Sequence, residues 1–237
     1  MKFTDIQGIL FDYGATIDTN GVHWAEVLRN AYKETGVPVD NNAFRKAYIY
    51  GERYLATHPV IGPSDNFLTL LLKKTEIQLS FLTENNYLST QKNDYSAQIS
   101  RICYDEVKRN ISRAKPVLDY LSEKYPMVLV SNFYGNVETV LMDFGLRKYF
   151  NDIVESAVVG VRKPNPEIFR LGVERLALPA QNVALTGDSY TKDILPGAQA
   201  GCKTIWLKGK AWEGEKEPEH IVADRVITDF SELKEIL

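Results

Sequence analysis

Residues 6–16 read IQGILFDYGAT. Residues 6–11 form a short, mainly apolar run that stops at Asp12, with Gly14 and Thr16 just behind it. This pattern predicts a buried strand running into a loop, which places Asp12 at the strand's C-terminal end.

Downstream of this strand the rhythm becomes helical, from about residue 22 to residue 110. Trp24, Val27, Leu28 and Ala31 share one face of a helix that Gly36 would stop. Phe44, Ala47, Tyr48 and Leu55 mark a second helix, ending before Pro59. Phe67, Leu70, Leu71 and Leu82 mark a third, and Tyr95, Ile99, Ile102 and Cys103 a fourth. After about residue 115, short apolar runs alternate with helical patterns. The runs are 127–130 (ending at Ser131), 154–159, 183–186, 204–207 and 226–227. Helical patterns lie at 116–124, 137–144 and 166–176, the last opened by Asn165 and Pro166 as cap and first helical residue. Alternation of this kind implies an α/β fold with a parallel, doubly wound, Rossmann-like sheet. The expected organisation is a core of residues 1–17 and 114–237 with an all-helical insert, residues 18–113.

The 237 residues carry a net charge of -3, with 44% apolar and 25% charged residues. A mildly acidic chain with no basic block argues against nucleic acid as the main partner. No run of about 18 apolar residues suggests a membrane span, and the first residues lack a signal-peptide pattern, so the expected location is the cytoplasm. Cys103 and Cys202 have no metal-ligand spacing and read as buried free thiols. Residues 213–220, EGEKEPEH, read as a polar loop without a specific signal. Oligomeric state is left open.

Four polar clusters fall at the C-terminal ends of predicted strands, the edge where open α/β sheets bind ligands. They are Asp12; Ser131 with Asn132; Lys163; and Asp188 with Asp193. Alone, each has an ordinary reading as a turn, a helix cap or a solvated lysine. Together, in this order, they suit attack on a phosphoryl group. A carboxylate can act as nucleophile, and a second one can help hold Mg²⁺, which prefers hard oxygen ligands. A hydroxyl and a lysine can offset charge on the phosphate oxygens.

The segments FDYGAT (11–16), VLVSN (128–132), GVRKPNPEIF (160–169) and GDSYTKDILPGAQAG (187–201) resemble, in order, the four motifs of the haloacid-dehalogenase superfamily. The likeness covers residues 1–16 and about 115–207, and the last two motifs are its most specific part. The resemblance implies a helical cap of the C1 type between the first two motifs. It also implies Asp12 as nucleophile, Ser131, Asn132 and Lys163 as phosphate binders, and a Mg²⁺ site made by Asp12, the Gly14 carbonyl and Asp188. Asp193 would be an outer or alternative metal partner. The implied activity is hydrolysis of a small phosphorylated metabolite through an aspartyl-phosphate.

The chain departs from that pattern at Gly14, where the family's phosphatases carry a second Asp that protonates the leaving oxygen. General acid–base help is worth about 10²–10⁴-fold. Asp18 and His23 are the nearby candidates to supply it. Gly14 also opens two other readings. One is a catalytically weak binding or regulatory protein. The other is a phosphonatase-like enzyme, which would need a reactive cap lysine. Lys33, Lys46, Lys73, Lys74, Lys92 and Lys108 are expected to be mostly solvated. The family's dehalogenases carry Tyr at position 14 and use no metal, which fits Asp188 poorly. Arg45, Arg53 and the insert's many aromatic residues are candidates for substrate contact, with helix faces and helical core as their plainer roles.

Overall fold

The computed structural model describes residues 2–89, 94–210, 212, 218 and 220–237. Strand β1 (Gly8–Phe11) opens the fold. Four helices follow: α1 (Trp24–Thr35), α2 (Asn41–Thr57), α3 (Phe67–Glu84) and α4 (Tyr95–Ser122). Then come β2 (Met127–Ser131), α5 (Val137–Asp143), β3 (Asp152–Glu155), α6 (Ser156–Val159), α7 (Glu167–Leu176), β4 (Val183–Gly187), a π-helical turn (Tyr190–Ile194), α8 (Leu195–Gln199), β5 (Lys203–Leu207) and β6 (Arg225–Ile227).

All described strand pairs are parallel, in the order β3-β2-β1-β4-β5-β6. The chain begins at the centre, winds outward through β2 and β3, then returns to the far side of β1 for β4. The order therefore reverses between β1 and β4, which opens a crevice at their carboxyl ends. Alternate residues bury the two faces of the sheet. Leu10, Val128, Val130 and Leu185 pack with Ile168 and Phe169 of α7. Ile9, Phe11, Leu129 and Ala184 join the cluster that includes α4. Covering both faces explains why the central strands read as unbroken apolar runs.

The helical boundaries follow local chemistry. Gly36 takes a left-handed conformation (φ 72°) and returns two backbone bonds to the last turn of α1. Asp40 and Asn66 cap α2 and α3 by accepting from Ala43 N and Thr69 N. Helix α7 begins at Glu167, one residue later than expected, with Pro166 at the cap position, and Asn165 Oδ1 accepts from Glu167 N.

Three expectations are corrected. Residues 154–159 do not form one strand. β3 ends at Glu155 and Ser156–Val159 is a helical turn whose residues are not buried, closed by Gly160 at φ 73°. The helix expected to begin at residue 116 is the end of α4, which runs through Pro116 for 28 residues. Ile111, Ala114, Val117 and Leu118 are all buried, and this packing outweighs the hydrogen bond the proline removes. Lys74 is not solvated: it is 6% exposed and paired with Glu52. Lys92 and most of residues 213–220 lie outside the described residues. Cys103 and Cys202 are buried and free. Among the described residues, no helix is long and apolar enough to cross a membrane.

Candidate active site

Asp12 continues the β1 ladder by one bond, donating its N–H to Thr186 O (3.0 Å). Its side chain therefore emerges where β1 and β4 part. β4 ends at Gly187, so Asp188 emerges beside it. Asp193 follows on the π-helical turn and packs back against Gly187. A Cβ at 187 would sit 2.5 Å from Asp193 Cβ, which is why glycine stands there. Lys163 arrives from the loop before α7. The Asn132 amide grips the backbone of Lys163 on both sides: Lys163 N donates to Asn132 Oδ1 (2.9 Å), and Asn132 Nδ2 donates to Lys163 O (3.1 Å).

Lys163 Nζ donates to Asp12 Oδ1 and to Asp193 Oδ1, both at 2.6 Å. Thr16 links the two strands. Its hydroxyl accepts from Asp188 N (3.1 Å) and lies 3.3 Å from Asp12 Oδ2 and 3.2 Å from Asp188 Oδ1. A hydroxyl has one proton, so it donates to one of these carboxylates at a time. Trp206 Nε1 donates to Asp188 O (2.7 Å) and fixes the backbone there. Ser131 is buried at the end of β2.

Oxygen atoms of Asp12, Asp188 and Asp193 lie within 4.8 Å of one another. Burial pushes the Asp12 carboxyl up to about 6; Lys163 opposes that rise and Asp193 adds to it. Burial, then Asp193 and Asp12, push Asp188 well above the carboxylate range. Burial works against the Lys163 charge too, but Asp12 and Asp193 outweigh it and raise its pKa. Three carboxylates thus share one lysine. A hard divalent cation fits this oxygen set and would restore ionisation of the acids.

All of these groups except Thr16 line one cavity of about 1530 Å³, together with Gly14, Asp18 and His23. Among the described residues, no atom beyond the adjoining residues 13 and 15 lies within 4 Å of where a Gly14 side chain would begin. Asp18 Oδ1 accepts from Ala15 N (2.6 Å) and Oδ2 from Trp24 Nε1 (2.9 Å). Burial raises its carboxyl to about 8 against the pull of these bonds. His23 Nδ1 accepts from Ala25 N as the cap of α1, which leaves Nε2 to carry the proton of the neutral ring. The ring stacks on Trp212, centroids 5.6 Å apart. Of the two arginines, Arg53 lines the cavity and Arg45 lies 4.5 Å over the Trp212 ring.

Asp12, Gly14, Asp18, His23, Ser131, Asn132, Lys163, Asp188 and Asp193, all named from the sequence, therefore line one crevice, whereas Arg45 does not line it. Thr16 and Trp206 were not singled out, since a lone threonine or a strand tryptophan carries no signal until the register of β1, β4 and β5 is known. Glu52 and Tyr134, which also line the cavity, were missed because their pairing depends on how the insert packs on the core.

A family profile described as haloacid dehalogenase-like hydrolase matches residues 6–201. Among curated proteins, the pyrimidine 5'-nucleotidase YjjG of Escherichia coli K12 is 34% identical over 111 residues, 46% of this chain and 48% of that protein. The glyceraldehyde 3-phosphate phosphatase of Methanothermobacter thermautotrophicus is 29% identical over 149 residues, 59% of this chain and 65% of that protein. The matched stretches thus span about half to two thirds of these relatives. The crystal structure of the HAD-hydrolase YfnB of Bacillus subtilis, bound to magnesium, superposes with a TM-score of 0.60 at 20% identity over 98% of both chains, a likeness of fold. With the profile covering most of its length and the motif residues gathered at one sheet edge, the chain belongs to the haloacid dehalogenase-like hydrolases.

Proposed function

We propose that the protein is a Mg²⁺-dependent phosphatase of small phosphorylated metabolites that works through an aspartyl-phosphate at Asp12. The observation that carries this reading is the convergence of Asp12, Lys163, Asp188 and Asp193 in one cavity. Asp12 and Asp188, with the Gly14 carbonyl, would hold the metal, and Asp193 would support it. A bound Mg²⁺ supplies Lewis-acid charge that screens the anionic nucleophile from the anionic phosphate. The Asp12 oxygen attacks phosphorus, the P–O bond to the leaving group breaks, and water later releases phosphate from Asp12. Lys163 and the Ser131 hydroxyl neutralise the transferring oxygens, and Asn132 positions Lys163. Residues 18–113 act as a cap that excludes water.

The leaving oxygen needs a proton, and position 14 has no side chain to give it. Esters with good leaving groups, which depart as anions, should therefore be cleaved best. Hydrolysis of p-nitrophenyl phosphate with Mg²⁺, abolished in Asp12→Asn, is the expected result; wild-type rates in that variant would defeat the mechanism. Gly14 favours a second reading, a binding or regulatory protein that retains the anion site. It predicts calorimetric binding of Mg²⁺ and phosphate without turnover across a broad phosphoester panel. Phosphonatase chemistry fits less well, because Lys74 is tied to Glu52 and held ionised rather than free to attack a carbonyl.

A further inference from the structure

A second polar cluster lines the same cavity from the insert side. Lys74 of α3 donates to Glu52 Oε1 of α2 (2.7 Å). Tyr134, in the loop after β2, donates to Glu52 Oε2 (3.1 Å). Lys74 Nζ also lies 5.3 Å from the centre of the Tyr134 ring. All three residues line the cavity that holds Asp12 and Lys163. The Lys74 side chain is 8% exposed and that of Glu52 34%. Burial works against both charges, yet the pair sustains them. Lys74 and the bonds from Lys74 and Tyr134 hold the Glu52 carboxyl below its ordinary range, and Glu52 holds Lys74 above its own.

An ion pair with one partner buried and the other half-buried is a poor stabilising device, since its desolvation cost offsets much of the attraction. Its position on the cavity wall gives it a different use. Each Glu52 oxygen accepts one described bond and retains acceptor capacity, and Lys74 has three N–H groups, of which Glu52 and Tyr134 engage two. The cluster is neutral overall and offers an acceptor beside a donor. Arg53 and Lys192 also line the cavity, but a second phosphate held by this cluster itself would meet the Glu52 carboxylate. An uncharged group with its own adjacent donor and acceptor would meet both partners. Trp24, Phe133 and Trp212 add aromatic surface to the same cavity, whose volume of about 1530 Å³ exceeds what a triose ester needs.

We propose that Glu52, Lys74 and Tyr134 form the subsite for the leaving group, selecting phosphate esters whose uncharged end presents a hydrogen-bond donor beside an acceptor over esters with a second anionic group. The inference rests on the hydrolase reading above. Two sources share this chemistry, the edge of a heterocyclic base and the neighbouring hydroxyls of a sugar.

The test is steady-state hydrolysis by the 237-residue chain with Mg²⁺. The substrates are uridine 5'-monophosphate, ribose 5-phosphate, fructose 1,6-bisphosphate and p-nitrophenyl phosphate. Glu52→Gln removes the negative charge at nearly constant volume and leaves the Lys74 ammonium to attract an anion. Expected is a fall of about tenfold or more in the kcat/KM ratio of the better mono-ester to the bisphosphate, mainly through KM. The uridine and ribose esters tell the two sources apart. A ratio unchanged within about twofold overturns the proposal, as does a wild-type preference for the bisphosphate. Should Glu52→Gln not fold, Tyr134→Phe removes one hydroxyl, and the same ratio must fall. If the wild type cleaves none of the four esters, the hydrolase reading has failed. The subsite is then judged by calorimetric binding of the same esters to wild type and variant, with the same ratio deciding.

Discussion

Replacing Gly14 by Asp should raise activity on alkyl phosphate esters. The position accepts a side chain: among the described residues no atom beyond residues 13 and 15 lies within 4 Å of the new Cβ, and Gly14 is not among the positive-φ glycines. It lies two residues from Asp12, on the wall of the same cavity. A carboxylic acid there would protonate the departing oxygen. The gain should approach the usual value of such an acid, about 10²–10⁴-fold in kcat/KM, or about 3–5 kcal/mol of barrier. It should depend on the leaving group. An alkoxide is strongly basic and needs the proton, whereas p-nitrophenolate leaves readily without one. The assay is paired kinetics on ribose 5-phosphate and p-nitrophenyl phosphate, wild type against Gly14→Asp, with Mg²⁺. A large gain on the alkyl ester with little change on the aryl ester is expected. Equal gains on both, or none on the alkyl ester by a folded variant, would show that the missing acid is not what limits this site.

Other perturbations separate the parts of the site. Lys163→Met leaves Asp12 and Asp193 buried without their cation; urea unfolding without metal should show a loss of about 3–5 kcal/mol, and added Mg²⁺ should reduce it. A loss that Mg²⁺ does not change would argue against a metal among these acids. Asp18 keeps its proton when folded up to about pH 8 but releases it near 3.8 when unfolded. Its contribution to stability is therefore full below about pH 4 and declines as pH rises toward 8. Asp18→Asn, which deprives Trp24 Nε1 of an acceptor, should cost about 1–3 kcal/mol near pH 5 and less near pH 8; a cost that grows with pH would refute this. Gly187→Ala forces a Cβ to within 2.5 Å of Asp193 Cβ. Thermal unfolding should show a loss of about 1–3 kcal/mol, with weaker Mg²⁺ protection.

The core of the fold was legible because its strands are buried on both faces and end in polar residues. Phe11 into Asp12, Val130 into Ser131 and Leu185 into Thr186 and Gly187 mark both the strand and its functional end. Helix stops were legible where one residue decides them, as at Gly36. What failed were features decided by packing. Pro116 looks like a helix start, yet the buried face of α4 carries the helix through it. Residues 154–159 look like a strand, but Val158, at the helical turn, is 74% exposed. Lys74 looks like a surface lysine, and only the placement of α2 against α3 reveals Glu52 as its partner. The meeting of Asp12, Lys163, Asp188 and Asp193 at one sheet edge was legible from motif order. Thr16 lies inside the FDYGAT stretch, but its link to Asp188, like Trp206 and the Glu52 cluster, depends on strand register and on contacts between insert and core, which no local pattern encodes.

The most direct test of the central claim is chemical trapping of the phosphorylated enzyme. Acid quenching during turnover with Mg²⁺, borohydride reduction and peptide mass spectrometry should find homoserine at position 12, the reduction product of an aspartyl-phosphate. Steady release of phosphate with Asp12 recovered unmodified would contradict it.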